Sequence, residues 1–174
     1  MTILVIIADR EQHAPQIREL FWEYLQWANS RLQEEYEISF DIASILEGDM
    51  KDLGKFMPPQ GCLLLAYAGK DLAGIACLKQ LTPSIGEVKR MYVRPGNRKA
   101  GLGRALVNRL LQEAQHSGYQ LVRLDSARFM KEAHQLYLAT GFKEIAAYEG
   151  SEIPEQFRDR WVFMEMAVRP YGDQ

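Results

Sequence analysis

Seven basic residues and no acidic one lie between Val88 and Gln112: Lys89, Arg90, Arg94, Arg98, Lys99, Arg104 and Arg109. They surround a glycine-bearing run, Arg98-Lys99-Ala100-Gly101-Leu102-Gly103-Arg104-Ala105. Cations beside glycines make a seat for a diphosphate, because small residues let backbone amides approach the oxygens while the cations balance their charge. The run follows a strand-like stretch, Val88 to Val93, closed by the turn signal Arg94-Pro95-Gly96-Asn97. A helix is therefore expected to start near Gly101. Its first-turn N–H groups lack internal partners, and their partial positive charge adds to the helix dipole to favour a bound phosphate.

Three glycine-rich motifs bind phosphates, and spacing chooses among them. Gly96 and Gly101 match the two glycines of a Walker loop, but Leu102 stands where that loop needs its lysine. Gly101-Leu102-Gly103 begins like a dinucleotide fingerprint, yet Leu106 takes the third small position and no long βαβ unit surrounds it. What remains is R-x-x-G-x-G on Arg98, Gly101 and Gly103. Downstream, Leu102, Ala105, Leu106, Leu110, Leu111 and Ala114 share one helical face, with Gly118 as the C-terminal cap. A strand, Gln120 to Asp125, follows, and then Ala133-His134-Gln135-Leu136-Tyr137-Leu138-Ala139-Thr140-Gly141-Phe142.

The loop and this last segment resemble the R-x-x-G-x-G and A-x-x-L-Y-x-x-x-G-F signatures of the GNAT superfamily of N-acetyltransferases, and the order of elements from Glu87 to Tyr148 is similar throughout. The resemblance implies acetyl-CoA as co-substrate and a small-molecule or peptide amine as acceptor. It implies direct attack by the amine in a ternary complex. Tyr137 would be the acid for the departing thiolate, a role suited to a phenol protonated at neutral pH. Glu87 would be the general base, acting directly or through water, with Glu165 a weaker competitor. The N–H of Met91 would face the acyl oxygen and the backbone of Val93 would pair with the pantetheine, which requires a gap between that strand and Gln120 to Asp125. Arg98, Lys99, Gly101, Gly103, Arg104 and Ala105 would line the diphosphate. This chain departs from many relatives at Lys99, where they carry glycine, and at Met130, where they carry asparagine. An inactive acyl-CoA-binding sensor or partner-binding module is the alternative function, against which Tyr137 and Glu87 both stand.

The remaining elements must hold these groups in place. From Gln16 to Leu32 the residues Ile17, Leu20, Phe21, Tyr24, Leu25, Ala28 and Leu32 repeat at three and four, giving a long amphipathic helix whose aromatic stripe reads as core packing. A short helix is expected near Ile42 to Leu53. Cys62 to Ala68 and Asp71 to Leu81 alternate round a Gly69-Lys70 turn, as an antiparallel hairpin does. Phe142 to Tyr148 and Trp161 to Val168 read as strands, and Ile3 to Ala8 as a first strand too short to span a membrane. The expected fold class is a single α/β domain over residues 1–174, with a mixed, mostly antiparallel sheet flanked by helices, as the resemblance also implies.

The formal charge is −2, so the chain without its seven central cations carries −9, a balance that argues against nucleic acid as the partner. Cys62 and Cys77 lie in apolar stretches and suit a reducing cytoplasm, and His13, His116 and His134 show no metal-ligand spacing. Exposed strands at the sheet edges would allow a homodimer. Glu34, Glu35, Glu37, Asp41, Glu47, Asp49, Glu149, Glu152 and Glu155 fall in the parts that shape the acceptor site in the family, which suggests a cationic acceptor.

Overall fold

The computed structural model describes residues 1–170 and 172. Its elements in chain order are β1 (Ile3–Ile7), α1 (Ala14–Tyr36), α2 (Ile42–Lys51), β2 (Cys62–Ala68), β3 (Asp71–Thr82), β4 (Ile85–Val93), α3 (Leu102–His116), β5 (Leu121–Ala127), α4 (Lys131–Thr140), β6 (Lys143–Ile145) and β7 (Trp161–Ala167). The strands form one sheet in the order β1-β2-β3-β4-β5-β7-β6. Only the β4–β5 pair is parallel, joined by the α3 crossover, and every other pair is antiparallel.

Helices cover both faces of the sheet. On one, Leu102, Leu106 and Leu110 of α3 and Tyr137 of α4 pack on Val88, Val122, Leu124 and Met164. On the other, Ile17, Leu20, Phe21 and Leu25 of α1, with Leu46 of α2, pack on Leu63, Leu65, Ile75 and Tyr92. This double cover explains why Cys62 to Ala66 are all buried, where the sequence pattern suggested alternation. Among the described residues no helix is long and apolar enough to cross a membrane.

Local chemistry sets the element ends. Asp41 caps α2 by accepting from the Ser44 N–H at 3.2 Å. At the end of α3, Gly118 N–H reaches Gln115 O and Tyr119 N–H reaches Ala114 O, the paired bonds of a left-handed glycine stop, with Gly118 at φ 82°. Helix α1 runs one turn past the expected Leu32, because the polar residues that follow still bond within the helix, Arg31 pairing with Glu35 at 2.9 Å. Strand β6 keeps only Lys143 to Ile145 of the expected Phe142–Tyr148. Phe142 and Tyr148 are instead buried anchors at its two ends, 3% and 6% exposed.

One irregularity matters most. Ile75 pairs with Tyr92 and Cys77 with Lys89, so β4 carries one residue more than β3 across this interval. The extra residue is a bulge at Arg90–Met91, with Arg90 in the left-handed region at φ 53°.

Candidate active site

The β4–β5 ladder runs from Ile85/Leu121 to Val88/Leu124 and stops there, although β4 continues to Val93 and β5 to Ala127. Beyond Val88 the two parallel strands splay, and the bulge turns β4 further from its neighbour. The β5-facing edge of Lys89 to Val93 therefore borders open space. That space is a cleft of about 400 Å³ lined by Val88 to Val93, by Leu124, Asp125 and Ser126, by Arg98, Lys99 and Gly103 of the loop and α3, and by Leu136 and Tyr137 of α4.

The glycine loop closes one end of the cleft. Gly101 is the residue before α3 and sits at φ 91°, a conformation that glycine adopts without steric cost. A Cβ on Gly103 would stand 3.1 Å from Leu136 Cδ2 and 3.7 Å from Met91 Cε, so the absent side chain keeps α3 and α4 close while leaving the cleft open. Arg98 turns under α1: its Nε donates to the Val93 carbonyl at 2.9 Å and its guanidinium lies 4.7 Å from the Trp27 ring centre. Lys99 and Arg104 are exposed, and Ala105 is half-buried on the first turn of α3. The other four cations of the central run have internal partners. Lys89 holds Asp125, Arg90 holds Asp49, Arg94 holds Glu19 and Glu23, and Arg109 holds Glu113. Arg98, Lys99 and Arg104 of the run remain at the loop, Lys99 with the exposed Glu132 of α4 at 4.0 Å.

Tyr137 is 5% exposed, lines the cleft and packs edge-on against Phe142 with ring centres 5.7 Å apart. Its hydroxyl has no hydrogen bond among the described residues, and burial pushes its pKa up, so it holds its proton. Glu87 is 1% exposed and does not line the cleft; it lies on the same face of β4 as Lys89, behind the cleft wall. Its Oε2 accepts from Tyr148 at 2.6 Å, and Lys79 Nζ stands 3.8 Å from Oε1. Burial raises its pKa against the opposing pull of Lys89 and the Tyr148 bond. Glu165 is bound to Arg123 at 3.0 Å on β7 and is not among the cleft residues.

An ionic network, buried at Lys89, Arg90, Asp49 and Asp125 and open to solvent at Glu152, lies at the cleft's far wall. Lys89 Nζ lies 3.1 Å from Asp125 and 3.0 Å from Glu152 Oε1, the same oxygen that Arg90 Nη1 reaches at 2.8 Å. Arg90 also grips Asp49 of α2 through Nε at 2.7 Å and Nη2 at 3.2 Å, and Lys55 meets Asp49 at 2.9 Å. Paired cations and carboxylates at such distances satisfy one another in a poorly hydrated wall. Lys89 stays protonated, since the carboxylates of Asp125, Glu152 and Glu87 outweigh its burial.

The acetyltransferase (GNAT) family model matches residues 14–142. An uncharacterized N-acetyltransferase of Schizosaccharomyces pombe is 30% identical over 82% of this chain and 84% of its own length. The rat N-acetyltransferase 8F1 is 32% identical over 59% of the chain, which spans about half of that relative. In fold, the paia N-acetyltransferase of Thermoplasma acidophilum, solved with coenzyme A, is similar at a TM-score of 0.73 and 18% identity over 97% of this chain and all of its own. An acetyltransferase of Salmonella typhimurium solved with acetyl-CoA is similar at 0.66 and 17% identity, over 99% of this chain and 97% of its own.

The chain belongs to the GNAT acetyltransferase family. It is an N-acetyltransferase with acetyl-CoA as co-substrate. The residues of this acetyltransferase gap, loop and bulge fit that ligand: an open strand edge for amide pairing, a helix start with glycine at Gly101 and Gly103, and three cations beside it.

Of the residues that the sequence assigns to the site, Met91, Val93, Arg98, Lys99, Gly103 and Tyr137 line the cleft, whereas Gly101, Arg104 and Ala105 do not. Glu87, expected beside the acyl group, is instead buried outside the cleft lining, with Tyr148 and Lys79 as its partners. Tyr24 and Trp27, which read from sequence as core packing of α1, and Arg31, which no sequence pattern singles out, also line the acetyltransferase cleft. Their helical spacing matches ordinary core packing, and the sequence carries no signal that the helix crosses over a gap. The acids near the acceptor end are mostly answered inside the fold. Glu152, Asp49, Glu47, Glu35 and Glu34 each hold a cation, while Glu37, Glu149 and Glu155 form no ion pair among the described residues.

Proposed function

We propose that this acetyltransferase moves the acetyl group of acetyl-CoA to a primary amine of a small molecule or peptide, by direct attack within a ternary complex. The observation that carries the reading is the end of the β4–β5 ladder at Val88/Leu124, which leaves an unpaired strand edge leading to the glycine start of α3. In this reading the pantetheine lies along Lys89 to Val93, exchanging the Arg98 bond on the Val93 carbonyl for an amide of its own. Arg98, Lys99, Arg104 and the amides from Gly101 to Ala105 hold the diphosphate.

The bulge aims the Met91 N–H at the acyl oxygen, where negative charge grows as the amine adds. The new bond joins the amine nitrogen to the acyl carbon, and the C–S bond breaks. The thiolate takes the proton of Tyr137, and the amine's proton passes through water to Glu87. Neither step needs an acyl-enzyme, and both cysteines are buried with their thiols pushed up by desolvation, Cys62 to about 12. Buried free thiols suit a reducing setting, which supports a cytoplasmic location.

The test is calorimetric titration with acetyl-CoA and CoA, followed by turnover on a panel of α-amino acids, polyamines, amino sugars and short peptides. Lys99→Glu/Arg104→Glu reverses two exposed charges, so it is expected to fold and to lose at least tenfold in affinity for both ligands. Tyr137→Phe is expected to keep acetyl-CoA affinity and lose about 10²-fold or more in kcat. Unchanged binding in the charge-reversed variant would overturn the placement of the diphosphate.

A further inference from the structure

Tyr148 belongs to no motif of the sequence and follows the short β6, yet it makes the closest contact to the buried carboxylate. Its hydroxyl donates to Glu87 Oε2 at 2.6 Å. Its ring is fixed independently of that bond, edge-on to Phe163 with centres 5.5 Å apart and beneath the Arg123 guanidinium at 5.4 Å. A phenylalanine would fill the same space. The hydroxyl is spent on a carboxylate that is itself 1% exposed, and the carboxylate's other oxygen, Oε1, has no hydrogen-bond partner among the described residues. Burying a carboxylate with one oxygen held and one unpaired is costly, and a site that only needed packing would carry an apolar residue there.

The loop that bears Tyr148 reaches the cleft wall at two further points. Ser151 Oγ donates to Asp125 Oδ2 at 3.1 Å, and Glu152 bridges Lys89 and Arg90. One segment thus ties together Glu87, the Asp125–Lys89 pair that separates it from the cleft, and the bulge.

We propose that Tyr148 is a positioning residue for the proton transfer: by holding Oε2 it fixes the Glu87 carboxylate so that Oε1 receives the acceptor amine's proton, through water, past Lys89 and Asp125. The proposal rests on the reading of Glu87 as base. Without the bond the carboxylate is held only by Lys79, whose Nζ is already 3.8 Å from Oε1, and is free to turn about its soft terminal torsion. The groups facing Glu87 are Lys79 from β3, Lys89 from β4, Arg123 and Asp125 from β5, and Tyr148, with Glu165 of β7 held by Arg123. The Tyr148 bond favours the ionised carboxylate against desolvation, so its removal raises the pH at which Glu87 ionises.

The experiment titrates the free enzyme, labelled with carboxyl-¹³C glutamate, by NMR, with the Glu87 signal assigned from its absence in Glu87→Gln. Alongside it, kcat/KM is measured against pH for the amine of the panel that turns over fastest. In Tyr148→Phe the Glu87 midpoint and the acid limb of the rate profile are expected to move up together by about one pH unit, with the rate recovering at high pH. A merely structural tyrosine would lower the rate at every pH and leave the limb where it was. If the midpoint and the limb stay in place in Tyr148→Phe, the positioning role is refuted. If Glu87→Gln keeps the wild-type kcat, the base reading itself fails, whatever Tyr148 does.

Discussion

Replacing Asp49 by asparagine is the sharpest probe of how the acyl site is built. Asp49 lies on α2, away from every motif, and its side chain is 4% exposed. It accepts two bonds from Arg90, at 2.7 and 3.2 Å, and one from Lys55 at 2.9 Å. Asparagine keeps the volume but turns a donor toward one of these cations and removes the charge that balances them. Breaking a buried ion pair by removing one partner costs about 3–5 kcal/mol. The lower end applies here, because Arg90 keeps Glu152 at 2.8 Å and Lys55 is 30% exposed and can reach water. For a chain of this size about 3 kcal/mol corresponds to a fall in Tm of roughly 6–12 °C.

The functional effect follows from the same bonds. Arg90 sits at φ 53°, a conformation that costs about 1–3 kcal/mol and persists only while the surroundings impose it. With half of its clamp gone, the bulge relaxes and the Met91 N–H turns from the direction in which we propose that it meets the acyl oxygen. Thermal unfolding, acetyl-CoA calorimetry and steady-state rates together test this. Asp49→Asn should melt several degrees lower, bind acetyl-CoA within a factor of about three, since the diphosphate loop is untouched, and lose kcat by about tenfold or more. A Tm within 2 °C of wild type with kcat unchanged would refute the reasoning, because it would mean that neither the ion pair nor the bulge depends on α2.

The strain at the bulge separates from its charge by comparing two losses of the same side chain. Arg90→Gly and Arg90→Ala both give up the ion pairs, but only alanine pays about 1 kcal/mol for the left-handed backbone, so the glycine variant should melt roughly 2–4 °C higher; equal melting would remove strain from the account. Gly103→Leu places a side chain where even a Cβ meets Leu136 at 3.1 Å, and should cost acetyl-CoA at least tenfold in affinity, about 1.4 kcal/mol, as read by calorimetry. Glu87→Gln tests the burial of the candidate base. Its folded pKa is raised, so its favourable contribution is full below the unfolded carboxylate pKa and lost as pH rises through the folded value. The glutamine variant should therefore gain Tm relative to wild type between pH 4 and pH 8 while losing activity, and a relative loss of Tm over that range would contradict the assignment.

The element order was legible because each boundary has a local cause: the Asp41 cap, the Gly118 stop, the turn after Val93, and the glycine start of α3. The gap between β4 and β5 was legible only through the resemblance, since no local pattern says that two parallel strands part after four paired residues. The bulge was invisible for a related reason. Arginine is an unlikely residue for φ 53°, and what holds it there are Asp49 and Glu152, 41 and 62 positions away in the chain.

The acid-free run has more than one physical role. Its seven cations suggested one concentrated seat, yet Lys89, Arg90 and Arg94 answer carboxylates on other elements, holding α1 and α2 to β4, bracing the bulge and lining the cleft wall, while Arg109 pairs with Glu113 one turn on within α3. The absence of acid inside the run has a physical use all the same. Lys89, Arg90 and Arg94 must reach outward to α1, α2 and the loop before β7, and a carboxylate close to them in the chain would compete for those bonds. Charge segregation along this stretch therefore encodes tertiary clamping at least as much as ligand binding. The share that we propose faces the ligand is the part that follows the turn, Arg98, Lys99 and Arg104, where glycines stand at the start of α3 and no buried carboxylate is paired with them among the described residues.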